Sequence, residues 1–494
     1  MATTPAQDRA FFGHPRALST LFFTEMWERF SYYGMRALLL LYMTAPVAAG
    51  GLGFDAAQGG AIYGLYTSMV YLATLPGGWI ADRLIGPRRA VLYGGIFIAA
   101  GHFSMALASL ALFYLGLFLI VIGTGLLKGN VSVIVGKLYA QGDNRRDAGF
   151  SIFYMGINLG AFIAPLICGY LGQEISWHYG FGAAGIGMTL GVIQYVLGTR
   201  NLGDAGLSPA PATPEERGRW RRQAQISVGI LLALVVIVGG GGYTGMLPVT
   251  ATQVADIAGV LLLLLIVGFF GWLYTSSEWT PDERKRLYLI GVLFLAASIF
   301  WSLFEQAGST LNLFARDRTD NSVLGMGFPS SWFQSMNSLF LIIFAPVMAW
   351  VWIKLSAAGK EPSTPMKFAW GLILAGAGFA VLVLPAQNES ALASPMWLTA
   401  TYFLHTIGEL VLSPVGLSAM TVLAPARIGG LMMGVWFLAT SVGNFISGRV
   451  TGLYEAMALP ELFGTIATSG IVLGALLMLM APMMKRSLSS QASR

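Results

Sequence analysis

NLGDAGLSPAPATPEERGRWRRQ, residues 201–223, is a polar, proline-bearing and basic interruption in a chain otherwise made of apolar runs. Counting outward from it decides the fold. A bilayer core of about 30 Å takes roughly 20 apolar residues per helix. On the N-terminal side such runs lie near residues 17–46, 54–84, 88–110, 112–138, 148–174 and 177–200. On the C-terminal side come two shorter runs, 224–243 and 251–275, then SSEWTPDERKR at 276–286. Six more follow, near 286–315, 328–356, 366–386, 394–423, 428–456 and 463–484. The expected protein is an all-α integral membrane protein of 14 transmembrane helices. It has an N-terminal six-helix bundle over 1–200, a basic cytoplasmic linker over 201–223 and two additional helices over 224–275. A short linker over 276–285 leads to a C-terminal six-helix bundle over 286–494. A composition of 55% hydrophobic and 11% charged residues lies outside that of soluble domains. Sixty-two glycines suit helices that must approach closely where no hydrophobic force drives their association.

The net charge of +6 is explained by topology, because cytoplasmic loops are enriched in Lys and Arg. With the N-terminus inside, Arg83, Arg88, Arg89, Lys137, Arg145, Arg146 and Arg200 fall on the cytoplasmic side, as do Arg217, Arg219, Arg221, Arg222, Arg284, Lys285 and Arg286. Lys354, Lys360, Lys367, Arg427, Lys485 and Arg486 join them, and Arg316 and Arg318 fall outside. Both termini are therefore expected in the cytoplasm, and no nucleic-acid partner is needed to account for the charge. The long first, second, seventh and eighth main runs exceed the bilayer and are expected to tilt or bend, with Gly34, Pro46 and Pro346 as local reasons. The single cysteine, Cys168, forbids an internal disulfide. Residues 1–16 carry no apolar core with a small-residue cleavage site, so no removable signal peptide is expected.

Seven charges remain inside the membrane: Glu25, Glu28, Arg29, Arg36, Lys128, Glu305 and Glu409. Unpaired at helix centres they would cost about 2.5–3.5 kcal/mol each, on the order of 20 kcal/mol together, so they must face one another or a wet cavity. In EMWERFSYYGMR, Glu25, Glu28, Arg29, Tyr32, Tyr33 and Arg36 recur at i, i+3, i+4, i+7, i+8 and i+11. That spacing predicts one stripe of a helix, with the other faces left for lipid and packing. The N-terminal half carries net plus one and the C-terminal half, with Glu305 and Glu409, net minus two. A short zwitterion matches that layout, its anionic end toward Arg36 and Lys128 and its cationic end toward Glu409. His405, one turn before Glu409, offers that carboxylate a local partner instead.

GGWIADRLIGPRR at 77–89 resembles the loop between the second and third helices of the major facilitator superfamily, in Gly78, Asp82, Arg83, Gly86, Arg88 and Arg89. Two six-helix halves joined by a basic linker are that superfamily's layout. A solvated basic turn is the plain reading of the same residues. The match narrows further. EMWERFSYYG resembles the signature of the proton-dependent oligopeptide transporter family, as do GLLKGNVS at 125–132, FYMGINLGAFIAP at 153–165, FWSLFEQAGSTL at 300–311, SWFQSMNSLF at 331–340 and GELVLSP at 408–414. The two central helices resemble those of bacterial members, and the likeness covers essentially the whole chain.

The resemblance implies a bacterial inner-membrane symporter that imports di- and tripeptides with protons and uses no cofactor or metal beyond the proton gradient. It gives Glu25, Glu28, Arg29, Lys128 and Glu305 to proton coupling, and Arg36 and Lys128 to the peptide carboxylate. Asn158, Asn337 and Glu409 would hold the amino end, and Tyr32, Tyr33, Tyr71, Trp301 and Trp436 would line side-chain pockets. Glu305 would pair with Arg36 or Lys128. Two departures stand out: Gly129 replaces a proline after Lys128, which predicts a looser bend, and Gly64 replaces a histidine of animal members. Uptake of nitrate or another small anion is the alternative within the family, opposed by Glu409, which would repel an anion. An enzyme built on Ser413 or Ser418 with His405 lacks a strand-to-helix elbow, and the chain has no HExxH zinc motif.

Overall fold

In the computed structural model, residues 8–489 are described except Gln141, Ser208, Pro248 and Ser277; the first seven and last five residues, ends expected in the cytoplasm, lie outside. Helices α1 (Arg16–Thr44), α2 (Ala56–Leu72), α3 (Thr74–Ile80), α4 (Pro87–Met105), α5 (Leu110–Lys137), α6 (Arg146–Tyr170) and α7 (Trp177–Gly198) precede the linker. Next come α8 (Pro214–Leu234), a single turn α9 (Gly241–Tyr243) and α10 (Ala251–Thr275). The C-terminal run holds α11 (Pro281–Phe304), α12 (Thr310–Asp317), α13 (Gln334–Ala357), α14 (Thr364–Ala386), α15 (Pro395–Leu423), α16 (Gly429–Thr451) and α17 (Leu459–Ser489). A hairpin of β1 (Ser322–Val323) and β2 (Met326–Gly327) lies between α12 and α13. These helices make fourteen long rods, and among the described residues eleven hold stretches apolar enough to cross a bilayer. The first rod does not, because no 18-residue window of α1 contains fewer than three charges.

Local sequence places the helix starts. Thr213 and Glu216 form a reciprocal capping box with Pro214 at the first position of α8, and Thr280, Glu283 and Pro281 repeat it on α11. Each box satisfies two backbone N–H groups that the helix itself leaves open.

Of the four long runs expected to tilt or bend, the second and seventh are broken, though not at the residues offered as local reasons. Helix α1 runs unbroken through Gly34, and that glycine instead gives room for α6, since a Cβ there would lie 2.5 Å from Cys168 Sγ. The second run breaks at Ala73, between α2 and α3. The seventh breaks at a 3-10 turn over Glu305–Gly308, while Pro346 lies within α13 without interrupting it. Nor does α1 have a lipid face: between Ala17 and Thr44, Phe23 is its one exposed side chain, at 38%.

Residues divide into two compact units, 1–35 with 69–256, and 36–68 with 257–494. In the first, α4 packs along α5 through Gly94 against Gly123 and Gly101 against Gly116, where a Cβ would meet the opposing carbonyl at 2.6–2.7 Å. Small residues one heptad apart thus set the helix spacing. In the second, α14 packs against α15 and α17, and α11 against α16. There α2 crosses α16 at Gly64, where a Cβ would lie 2.8 Å from Gly448 Cα. The space that a histidine would need is filled by backbone.

The corner at 77–89 is more than a solvated turn. Arg88 donates from its backbone N to Gly206 O at 3.0 Å, from Nε to Ala205 O at 2.7 Å and from Nη2 to Gly203 O. Ala210 N donates to Asp82 O at 2.7 Å, and the Arg83 guanidinium lies 5.1 Å from the Trp220 ring and 5.6 Å from that of Trp79. The superfamily-like loop therefore straps down the start of the linker. Arg88→Ala is expected to speed proteolytic nicking within 203–213 by about tenfold, because local opening governs cleavage; limited proteolysis followed by mass spectrometry measures it.

Candidate functional site

In the first unit, α1 presents Glu25, Glu28 and Arg29, all buried. Arg29 donates to Glu28 through Nε and, at 2.6 Å, from Nη2 to Oε1, while its Nε lies 3.4 Å from Glu25 Oε1. Glu25 Oε2 has no hydrogen-bond partner among the described residues. The Arg29 guanidinium also lies 5.1 Å from the Tyr32 ring and 6.0 Å from that of Tyr33. One cation is thus shared by two carboxylates, so removing a proton from either is felt by the other. Lys128 stands on α5, which continues through Gly129 without interruption. Its Nζ sits 3.8 Å above the Tyr71 ring, an attraction between cation and ring quadrupole. Tyr71 thereby has a second role besides the pocket expected of it. Asn158 donates to Tyr154 O, one turn earlier in its own helix, at 3.0 Å.

In the second unit the break after α11 creates the site. Glu305 begins the 3-10 turn, and its Oε2 lies 2.7 Å from Arg36 Nη2, with 6% of the Arg36 and 4% of the Glu305 side chain exposed. Arg36 is thus an ion-pair partner of Glu305. Arg36 Nε donates to Tyr63 Oη at 2.8 Å, so the guanidinium is held by one hydrogen bond and one ion pair. Gly308 makes this possible: a Cβ there would lie 1.9 Å from Tyr63 Oη and 2.8 Å from Arg36 Nε. The broken turn is held by its own polar side chains. Gln306 Oε1 accepts from Ser309 Oγ at 3.1 Å and Thr310 Oγ1 at 2.5 Å, Gln306 Nε2 donates to Ser302 O at 3.1 Å, and Tyr402 donates to Ala307 O at 3.2 Å. Such bonds replace the helix ladder that the break interrupts.

Glu409 accepts from Asn337 Nδ2 at 3.0 Å, and the same amide nitrogen lies 3.1 Å from Thr406 Oγ1. His405 turns away, its Nε2 3.0 Å from Ala375 O, so it does not neutralise Glu409. Trp301 and Trp436 meet edge to face, with centroids 6.4 Å apart at 79°. The structure thus joins Glu25, Glu28 and Arg29; Lys128 and Tyr71; Arg36 and Glu305; Asn337 and Glu409; and the two tryptophans. Sequence reasoning missed Tyr63, Thr406, Gln306 and Gly308. Gln306 and Gly308 were visible in FWSLFEQAGSTL as a polar, glycine-bearing end to an apolar run. Tyr63 carried no signal, because its role exists only through a residue 27 positions away. Among the described residues no group of three His, Cys, Asp or Glu side chains is placed to hold a metal.

Residues 88–466 match the pattern of the POT family. An uncharacterized transporter of Bacillus subtilis, YclF, is 46% identical over 487 residues, 97% of this chain and 96% of its own. Peptide transporter YePEPT of Yersinia enterocolitica is 42% identical over 508 residues, 99% of this chain and 98% of its own. A crystal structure of peptide transporter POT in complex with sulfate superposes with a TM-score of 0.91 at 43% identity, covering 98% of each chain. The buried charges and the helix break therefore sit in a multi-pass membrane protein of the major facilitator fold, and the chain belongs to the POT family.

Proposed function

We propose that this protein is a proton-coupled symporter that imports di- and tripeptides by alternating access, in a bacterial inner membrane with both termini cytoplasmic. The chain is a transporter and not an enzyme. The observation that carries the reading is the buried Arg36–Glu305 pair at 2.7 Å, a charge pair whose partners a zwitterion can separate. A peptide carboxylate competes with Glu305 for Arg36. The released Glu305 carboxylate is the acceptor of the coupled proton. Peptide and proton binding are then linked, and the linkage is reciprocal. Lys128 supplies the second cation for the carboxylate and takes part in coupling with Glu25, Glu28 and Arg29. Asn337 and Glu409, already joined at 3.0 Å, receive the amino end together with Asn158. Tyr32, Tyr33, Tyr71, Trp301 and Trp436 line the side-chain pockets. The membrane potential supplies about 2.3 kcal/mol per charge per 100 mV, enough for one inward proton to concentrate a neutral zwitterion.

Protein reconstituted in liposomes is expected to accumulate labelled dialanine under an inward proton gradient with a negative interior, and to lose that accumulation on adding a protonophore. Binding without accumulation overturns symport. In Glu25→Gln and Glu28→Gln variants, proton-driven uptake is expected to fall at least tenfold while peptide counterflow persists; unchanged coupling removes that cluster from the proton path.

A further inference from the structure

We propose that the turn joining α10 to α11 binds the phosphodiester headgroup of an anionic phospholipid. Trp279, Pro281, Arg284, Lys285 and Tyr288 line a recess of about 280 Å³. Three donors at this turn, Trp279 Nε1, Arg284 Nε and Arg286 Nε, are buried without an acceptor among the described residues, and Trp279 is 6% exposed. Buried N–H groups in folded proteins almost always have acceptors, so Trp279 Nε1 and Arg284 Nε, on two residues that line the recess, mark the place of an absent one.

The local acids do not fill it. Glu278 Oε2 lies 3.5 Å from Arg427 Nη1, and Asp282 Oδ1 lies 3.5 Å from Lys285 Nζ. Glu283 closes the capping box of α11 and lies 3.4 Å from Arg427 Nη2. With those three carboxylates engaged, Arg284 and Arg286 have no acid within ion-pair distance among the described residues. A phosphate ester presents several charged acceptor oxygens to such donors at once.

The surroundings select a lipid as its source. Tyr288 and Leu295 lie three and ten residues beyond Lys285 on one face of α11 and are 51% and 59% exposed. Tyr274 packs against Tyr288 with centroids 4.8 Å apart. Cations at the helix end, an aromatic pair at the next level and an apolar strip beyond are the order of groups along a phospholipid at the membrane boundary.

The purified full-length protein in detergent, titrated with phosphatidylglycerol, phosphatidylcholine or inorganic phosphate, tests this by native mass spectrometry. One phosphatidylglycerol is expected to be retained about tenfold more tightly than phosphatidylcholine, and retention is expected to fall about tenfold in Arg284→Gln/Arg286→Gln. Trp279→Phe keeps an aromatic ring near Arg427 and removes the N–H together with part of the indole, and it is expected to weaken retention about threefold. Millimolar phosphate is expected to leave the lipid in place. Equal retention of the two lipids, wild-type retention in the variants, or displacement by phosphate each overturns the proposal, the last by assigning the recess to a soluble anion. The readout does not depend on transport.

Discussion

Arg36→Ala is expected to destabilise the protein by about 3–5 kcal/mol, the cost of leaving one member of a buried ion pair without its partner. Glu305 would then be a 4% exposed side chain facing the space where its cation stood, and Tyr63 would lose the donor on its hydroxyl. Against a total stability of about 5–15 kcal/mol that loss is large. It should appear as a sharp fall in the temperature at which the detergent-solubilised protein aggregates. Uptake should also disappear, but loss of uptake alone does not separate folding from binding. The paired variant Arg36→Met/Glu305→Met separates them. Replacing both charges with apolar side chains of similar length is often neutral or stabilising, so the double variant is expected to regain most of the thermal stability and none of the uptake. A double variant as unstable as Arg36→Ala would show that the charges hold the broken helix in place. Recovered uptake would remove the pair from the transport cycle.

Gly64→His is expected to have the second largest effect, because it restores the residue that animal relatives are expected to carry at a place where this chain has no room. The Cβ alone would lie 2.8 Å from Gly448 Cα and 3.1 Å from Phe445 O. These are backbone atoms that no rotamer change can move. The two helices must separate, at a cost above the roughly 1–3 kcal/mol of ordinary overpacking. Little monodisperse protein is expected, and Gly64→Ala should fall between it and wild type. A Gly64→His protein as stable as wild type, judged by thermal aggregation, would show that the α2–α16 crossing is soft. A side chain at position 64 and the Gly448 contact therefore exclude each other, so this chain has no place for a histidine there.

The fourteen rods were legible because a membrane span must be long and apolar, and that constraint is written residue by residue. The buried charges were legible for the complementary reason. Glu25, Glu28 and Arg29 interrupt an apolar run, and their helical spacing brings them to one side of α1. The breaks were less visible. Gly34, which read as a bend, is a close contact with Cys168, and the second rod breaks at Ala73, where Pro76 has no N–H to give the carbonyl of Leu72. Glycine permits both kinks and close approach, and only the neighbouring helix decides between them.

The pairing of charges lay further out of reach. Glu305 could have met Arg36 or Lys128, and Glu409 could have met His405; in each case the sequence offered chemically equal partners. Arg36 reaches Glu305 because α11 ends at Phe304 and Gly308 leaves room beside Tyr63, and Glu409 meets Asn337 while His405 bonds to Ala375 on α14. By itself the sequence determined the number of helices, the family and the charges that must be sheltered from lipid, because these follow from the cost of placing each residue in a bilayer. The tertiary structure alone decided which charge shelters which, because that depends on distances between helices that no local pattern encodes.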